Sequence, residues 1–389
     1  MADVDRQYDT IVVGAGVAGC AAARELAVDR DVVLLDEGQV AGKASGLAAG
    51  LIAPTLFYSD LPAVARHANR YIRAFDGTGQ FEFNERQRIE LRLPEHEREA
   101  REKARRLTGE GFPVSFIDAG EAADRYPQFD FSGVCGVVEY RDTGWVDPYT
   151  YTVALKEDAE RRGADVETGV AVESVITDGG AVEGVATDNG TYEASNVVLS
   201  TGWRTEELVS EHLTLPSLPF KLQCVTLNPQ RGIGEEFPLG RLGSEELYFR
   251  PEHNGTVLFG GGEYVERDPQ TAVNGGDIDE AFREHVARTV PEFLDGFGNA
   301  ELVNGWSGID SATPDARPII DAPDELPEWL VISTGYNGLG MVSSPIAATA
   351  VRSLITGERC PFPLEPFSYG RFEAVTEEFE LYGTFEATK

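Results

Sequence analysis

Residues 10 to 37 constrain this chain more tightly than any other stretch. They read TIVVGAGVAGCAAARELAVDRDVVLLDE. The apolar run Ile11-Val12-Val13 enters Gly14-Ala15-Gly16-Val17-Ala18-Gly19, an alanine-rich helical segment follows to about Ala27, and the apolar run Val32–Leu35 ends on Asp36. Strand, glycine turn, helix, strand and acid in that order form the dinucleotide-binding fingerprint. Gly14 allows the tight turn out of the strand, Gly16 lets a pyrophosphate approach the backbone, and Gly19 lets the helix pack close to the sheet. The helix start offers unpaired N–H groups and a positive dipole end to the phosphates. Asp36 can accept from both ribose hydroxyls, with Glu37 beside it, and an acid there argues against a 2′-phosphorylated ligand. A glycine-bearing turn in an ordinary α/β unit would leave that acid unexplained.

A chain of 389 residues has room for two domains, or for one large domain with an insertion. Acids outnumber bases 66 to 33, for a formal net charge of −33, and lysine occurs only at Lys43, Lys103, Lys156, Lys221 and Lys389. The acids are spread along the chain. That pattern predicts adaptation to high salt, where screening removes the self-repulsion of the compact state. The absence of a basic stripe argues against nucleic-acid binding. Cys20, Cys135, Cys224 and Cys360 are isolated in sequence and have no metal-ligand spacing, so free thiols in a reducing compartment are expected. The acidic start runs directly into the first strand, so no secretory signal and a cytoplasmic location are expected. No segment is apolar for long enough to span a membrane.

After Asp36, residues 38–50 are mostly small, so backbone can approach a ligand; Ala44-Ser45-Gly46 sits here, and Ser45 can donate to a phosphate or ribitol oxygen. Residues 61–106 are polar and predicted to be mostly helical, with His67 and His96 as surface residues. Asp147-Pro148 opens a helix to about Arg162. Short strands are predicted at 165–170 and 171–176, and a hairpin pairs 182–186 with 191–194 across Asp188-Asn189-Gly190. Residues 196–202 form a further buried strand that ends in the turn Thr201-Gly202. Strands at 222–227, 246–250 and 256–260 and a helix at 277–290 suggest a second, sheet-based unit. The strand Leu330–Thr334 feeds Gly335-Tyr336-Asn337-Gly338-Leu339-Gly340-Met341 and a helix over 344–356. That is a second anion-accepting helix start, suited to a ring carbonyl that gains negative charge.

With the first fingerprint, the returning strand Leu199-Ser200-Thr201-Gly202 and the closing TPDARPII…STGYNGLGM block, the chain resembles the FAD-dependent D-amino-acid-oxidase-like family nearly end to end. The resemblance implies a discontinuous α/β Rossmann-type FAD-binding domain (residues 1–80, 140–214 and 301–389) and a β-rich α+β substrate or cap domain (81–139 and 215–300). It places Gly14, Gly16, Gly19 and Asp36 at the ADP site and Ala44-Ser45-Gly46 at the pyrophosphate. Val172 falls at the adenine, and Gly335 through Met341 at the flavin ring.

Departures from the family pattern bear on substrate. Asp310 occupies the position of an arginine that grips the substrate carboxylate in glycine-oxidase-like members. Gly308 falls where some members carry a cysteine joined to the flavin, which implies non-covalent FAD. An oxygen-activating lysine would fall near Phe259 and a second carboxylate-binding base near Val342.

The implied activity is oxidation of the C–N bond of a small-molecule amine or amino acid, secondary or D-configured, by hydride transfer to the flavin. Tyr248, Arg250 and Tyr336 are the candidates for substrate contact, with Arg250 as a carboxylate fork and Arg317 as a second choice. Alternatives are a 2-hydroxy-acid or polyol dehydrogenase, and a flavin-bearing subunit of a complex with an electron-transfer or assembly role. The electron acceptor and any homo- or hetero-oligomer stay open.

Overall fold

The computed structural model describes residues 6–75, 79–242, 245, 247–269, 275–373 and 379–381. Strand β1 (Arg6–Val13) and strand β2 (Val32–Asp36) flank helix α1 (Val17–Leu26). Ile11 and Val12 on β1, and Val32 through Leu35 on β2, are fully buried. Helices and loops cover both faces of a parallel sheet, so its strands read as continuous apolar runs rather than alternating ones.

Five parallel strands form the centre of the first sheet, in the order Asp165–Thr168, β2, β1, Gly190–Leu199, Leu330–Thr334. The strand Gly190–Leu199 serves two neighbours on one side. Its first residues pair antiparallel with Ala181–Thr187 through the predicted hairpin, and its last three pair parallel with Leu330–Ile332. The sequence reading divided this strand in two; it is continuous because β1 pairs along nearly all of it. Helix α1 packs against helices Pro148–Arg161 and Gly340–Thr356. The first of these is started by Asp147, whose Oδ1 accepts from Thr150 N–H at 2.8 Å, with Pro148 at the first helical position.

A second eight-stranded sheet runs in the order Glu301–Ala312, Leu218–Asn228, Val257–Val265, Tyr248–Pro251, Leu239–Arg241, Arg88–Arg92, Gly136–Tyr140, Val114–Asp118. One face packs Val225, Phe249 and Phe259 against the helix Glu280–Phe293 and against Phe297 just beyond it. The opposite face presents Cys224, Tyr248 and Leu258 toward Ala49, Leu51 and Phe57 of the other half.

Several expectations change here. Residues 61–106 form two helices, Pro62–Ala74 and Glu97–Gly109, but Arg88–Arg92 between them is a strand of the second sheet. Its pairing with Gly136–Tyr140 and Leu239–Arg241 overrides a polar composition, and buried Arg88 donates through Nε to Glu90 at 2.7 Å. His67 is half-buried and bonded to Thr349 Oγ1 at 2.7 Å, and burial pushes its pKa down. The strand Glu301–Ala312, assigned from sequence to the cofactor unit, hydrogen-bonds along its length to Leu218–Asn228 in the second sheet. The helix foreseen at 344–356 begins at Gly340, one turn earlier. Glu246, at the start of the predicted strand 246–250, lies outside the described residues.

Candidate active site

A single cleft of about 440 Å³ runs from the β1 turn to the inner face of the second sheet. Its outer half is built by the glycine turn. Gly14 has φ +104°, and a Cβ there would lie 2.3 Å from Ser200 O. A Cβ on Gly19 would lie 1.9 Å from Gly14 O, so α1 can approach β1 only with glycine at both positions. Gly16 has an ordinary φ, and its Cβ would meet only Ser45 Oγ, at 3.0 Å. Ser45 Oγ accepts from Val17 N–H at 2.9 Å and so ties the 38–50 loop to the start of α1.

Asp36 stands at the outer end. Its Oδ2 accepts from Ala15 N–H at 2.7 Å and its Oδ1 from Gly38 N–H at 2.8 Å, which fixes the carboxylate at the cleft edge. Glu37 beside it accepts from Arg204 and Lys43, and Arg204 also reaches Glu207. Arg204 above all holds the Glu37 carboxyl below the usual range.

Of the residues expected at the cofactor, the cleft is lined by Gly14, Ala15, Gly16, Val17, Ala18, Asp36, Glu37, Ala44, Ser45, Val172, Thr201, Gly202, Gly338, Leu339, Gly340 and Met341. Gly19, Gly46 and Gly335 do not line it. Gly19 closes the helix onto the strand, Gly46 packs its turn on Ala41 O, and Gly335 at φ +72° sits under Thr313. These residues fit FAD. A cradle without side chains faces the start of α1, an acid is fixed at one end, and a second glycine-bearing helix start lies further along. The two helix starts are neighbours, since a Cβ on Gly340 would lie 3.6 Å from Val17 Cγ1.

The Gly335–Met341 loop is pinned to the segment that precedes it by 24 residues. Asn337, at φ +54°, donates to Gly335 O at 2.6 Å, and its Oδ1 accepts from Thr313 N–H at 2.9 Å. Its own N–H donates to Ser311 O at 2.8 Å. The Gly338 N–H, in the loop expected at the flavin ring, donates to Asp310 Oδ2 at 2.8 Å, while Ser311 N–H donates to Oδ1. Asp310 lines the cleft, and burial pushes its carboxyl above the ordinary range against the pull of those two N–H groups.

The three candidates for substrate contact separate. Tyr248 lines the inner end, and its hydroxyl lies 3.6 Å from Cys224 Sγ, which also lines it. Burial pushes the Cys224 thiol up to about 11, so it stays protonated near neutral pH. Tyr336 lines the cleft too, but its hydroxyl is committed to Ser333 Oγ at 2.6 Å. Arg250 does not line the cleft. Its Nε donates to Ala49 O, its Nη1 to Pro251 O and its Nη2 pairs with Glu252 at 3.1 Å, with the guanidinium 4.3 Å above Trp145. Arg250 is therefore a brace beneath the wall, not a carboxylate fork. Arg317 is taken by Asp60 and is likewise absent from the lining. Phe259 points into the aromatic core on the far face of its strand, and Val342 is buried in the other core.

Sequence reasoning missed Phe57, Leu222 and Cys224, which complete the inner wall. The alternation of Leu222 and Cys224 with Gln223 and Val225 was the available signal. Gly260 was missed as well: it pairs with Tyr248, and its Cβ would lie 2.2 Å from the Tyr248 ring. Gly260→Ala is expected to displace that ring, costing about 1–3 kcal/mol, read as a lowered Tm together with a changed flavin spectrum. A variant with wild-type Tm and spectrum would show that Tyr248 has room elsewhere.

A sequence profile of the FAD dependent oxidoreductase family, DAO, matches residues 9–354. Glycine oxidase of Geobacillus kaustophilus (strain HTA426) is 28% identical, over 94% of this chain and 97% of its own. Mitochondrial dimethylglycine dehydrogenase of Homo sapiens is 24% identical, over 94% of this chain and 44% of its own. The crystal structure of glycine oxidase from Geobacillus kaustophilus superposes with a TM-score of 0.84 at 23% identity, covering 95% of this chain and all of that one.

Proposed function

The chain belongs to the DAO family of FAD-dependent oxidoreductases, and from that membership we propose that it oxidises the C–N bond of a small amine or amino acid. The carrying observation is the continuity of one cleft from the glycine turn to an inner end walled by Phe57, Leu222, Cys224 and Tyr248. A ligand held along the outer half would meet a small molecule held at the inner half. The names of the relatives, a glycine oxidase and a dimethylglycine dehydrogenase, support an amine carbon as the oxidised centre.

FAD, when bound, supplies the acceptor for the two electrons and the hydrogen that leave the C–H bond beside the nitrogen. The chain does the rest. Gly14 and Gly16 let the phosphates close on backbone, Ser45 adds a hydroxyl there, and Asp36 holds the ribose. Phe57, Leu222 and Tyr248 exclude water at the inner end and orient the substrate C–H. The helix start at Gly340 presents N–H groups without intrahelical partners where negative charge develops.

The test is an anaerobic spectrum of the holoprotein in molar salt, with amines, sarcosine, dimethylglycine, L-proline and D-amino acids added singly. Bleaching of the flavin band by one of them supports the proposal, and readmitted air then separates an oxidase from a dehydrogenase. No bleaching by any, while dithionite still reduces the flavin, overturns it. Arg250→Ala separates brace from clamp. It is expected to cost about 1.5–3 kcal/mol, because Ala49 O and the partly exposed Glu252 lose a charged hydrogen-bond partner, read as a fall in Tm. A wild-type Tm with a raised KM would restore the clamp.

A further inference from the structure

We propose that Asp310 makes the inner end of the cleft a site for a cationic amine that carries no carboxylate on the carbon being oxidised. The inference rests on the amine-oxidising reading above and narrows it. Two observations carry it. First, Asp310 is the acidic side chain that lines the cleft where the second sheet meets the Asn337 loop, beside Tyr336. It is held on the strand that joins the second sheet to the Asn337 loop, and each of its oxygens is fixed by one backbone N–H, from Ser311 and from Gly338. A carboxylate oxygen with one N–H bond keeps further acceptor capacity for a ligand. Second, the cations among the described lining residues are Lys43 and Arg204, and both are spent on Glu37 at the outer end. Arg250, the second-sheet cation expected at the substrate, is turned onto Ala49 O and Glu252.

A substrate carboxylate placed at this end would be desolvated beside Asp310 with no cation to offset it. An ammonium would meet a fixed carboxylate beside Tyr336 and Gly338, in the cleft whose inner wall is Phe57, Leu222 and Tyr248. The cost of burying a charge unpaired and the gain from pairing it therefore act in the same direction. The same contact readies the nitrogen. One N–H bond of the ammonium breaks as an O–H bond forms on Asp310, and the electron pair stays on nitrogen as the lone pair that oxidation of the adjacent C–H requires.

The experiment is an anaerobic spectral titration of the holoprotein with two probes of matched length, n-propylamine and propionate, at one fixed salt concentration. Propylamine is expected to perturb the flavin band at a concentration at least ~10-fold lower than propionate, and D310N to lose that preference by a similar factor. D310S repeats this arm if D310N loses its flavin. D310R is expected to reverse the order of the two probes, a result that mere loosening of the site cannot give. Propionate binding the wild type as tightly as propylamine would overturn the inference. So would amine affinity left unchanged in a flavin-loaded D310N or D310S. Bleaching by sarcosine but not by N-methylpropylamine would overturn the inference and keep the broader reading. Bleaching by none of the amines and amino acids in the panel above would sink the broader reading, while the probe titration still decides the role of Asp310.

Discussion

Gly14→Ala is expected to yield protein without the flavin absorption band. Gly14 sits at φ +104°, and an added Cβ would lie 2.3 Å from the Ser200 carbonyl oxygen and 2.8 Å from its carbon. Both are backbone atoms of the residue that follows the strand Gly190–Leu199, and Ser200 N–H is itself bonded to Val13 O at 2.8 Å, so neither can yield without disturbing the end of the ladder. Strained backbone and overpacking together are expected to cost at least about 3 kcal/mol, and they open the turn that must close on phosphate. Gly16→Ala is the informative partner. Its φ is ordinary, and the nearest obstacle is the Ser45 hydroxyl at 3.0 Å, a side chain that can turn away. That variant should fold with near-native Tm but bind FAD roughly tenfold or more weaker. Equal FAD affinity in Gly16→Ala and wild type, read by fluorescence titration of the apoprotein, would remove Gly16 from the pyrophosphate site.

The second large effect concerns salt. We propose that the acid excess is an adaptation to concentrated electrolyte. At a net charge of −33 the folded chain carries a self-repulsion that dilute buffer screens only beyond about 10 Å, and molar salt beyond about 3 Å. Salt also weakens exposed ion pairs such as Lys43–Glu37 and Arg101–Glu97, but such pairs are worth about 1 kcal/mol or less each. Relief of repulsion should therefore win. Raising KCl from about 0.1 M to about 2 M is expected to lift Tm by about 10 °C or more. A flat or falling Tm across that range would defeat the proposal.

The cofactor half was legible in sequence because its determinants are local. Gly14, Gly16 and Gly19 answer to the fixed geometry of one strand–turn–helix unit, and Asp36 is fixed by Ala15 of that unit's turn and by Gly38 of the turn that follows its own strand. The substrate half was less legible because its determinants are distant. Nothing near Arg250 in sequence says that its guanidinium meets Ala49, 201 residues earlier. Phe259 and Gly260 are adjacent, yet one faces an aromatic core and the other lies under Tyr248; a one-residue slip in alignment exchanges those roles. Arg88–Arg92 read as part of a polar helix because its buried Arg88–Glu90 pair is visible only once the strand is seated between its two neighbours.

The loop between β2 and Leu51 is gripped from both ends of the cleft. Ser45 ties it to the start of α1, while Arg250 and the Trp306 indole N–H, from two strands of the second sheet, hold Ala49 O and Leu47 O. We propose that a phosphate held at Ser45 and a small molecule held beside Tyr248 would press on one short piece of backbone from opposite sides. Such a shared strut makes the two occupancies thermodynamically linked. Whatever stiffens the loop at the first end lowers the ordering cost at the second, and the second ligand must in turn slow release of the first by an equal free energy.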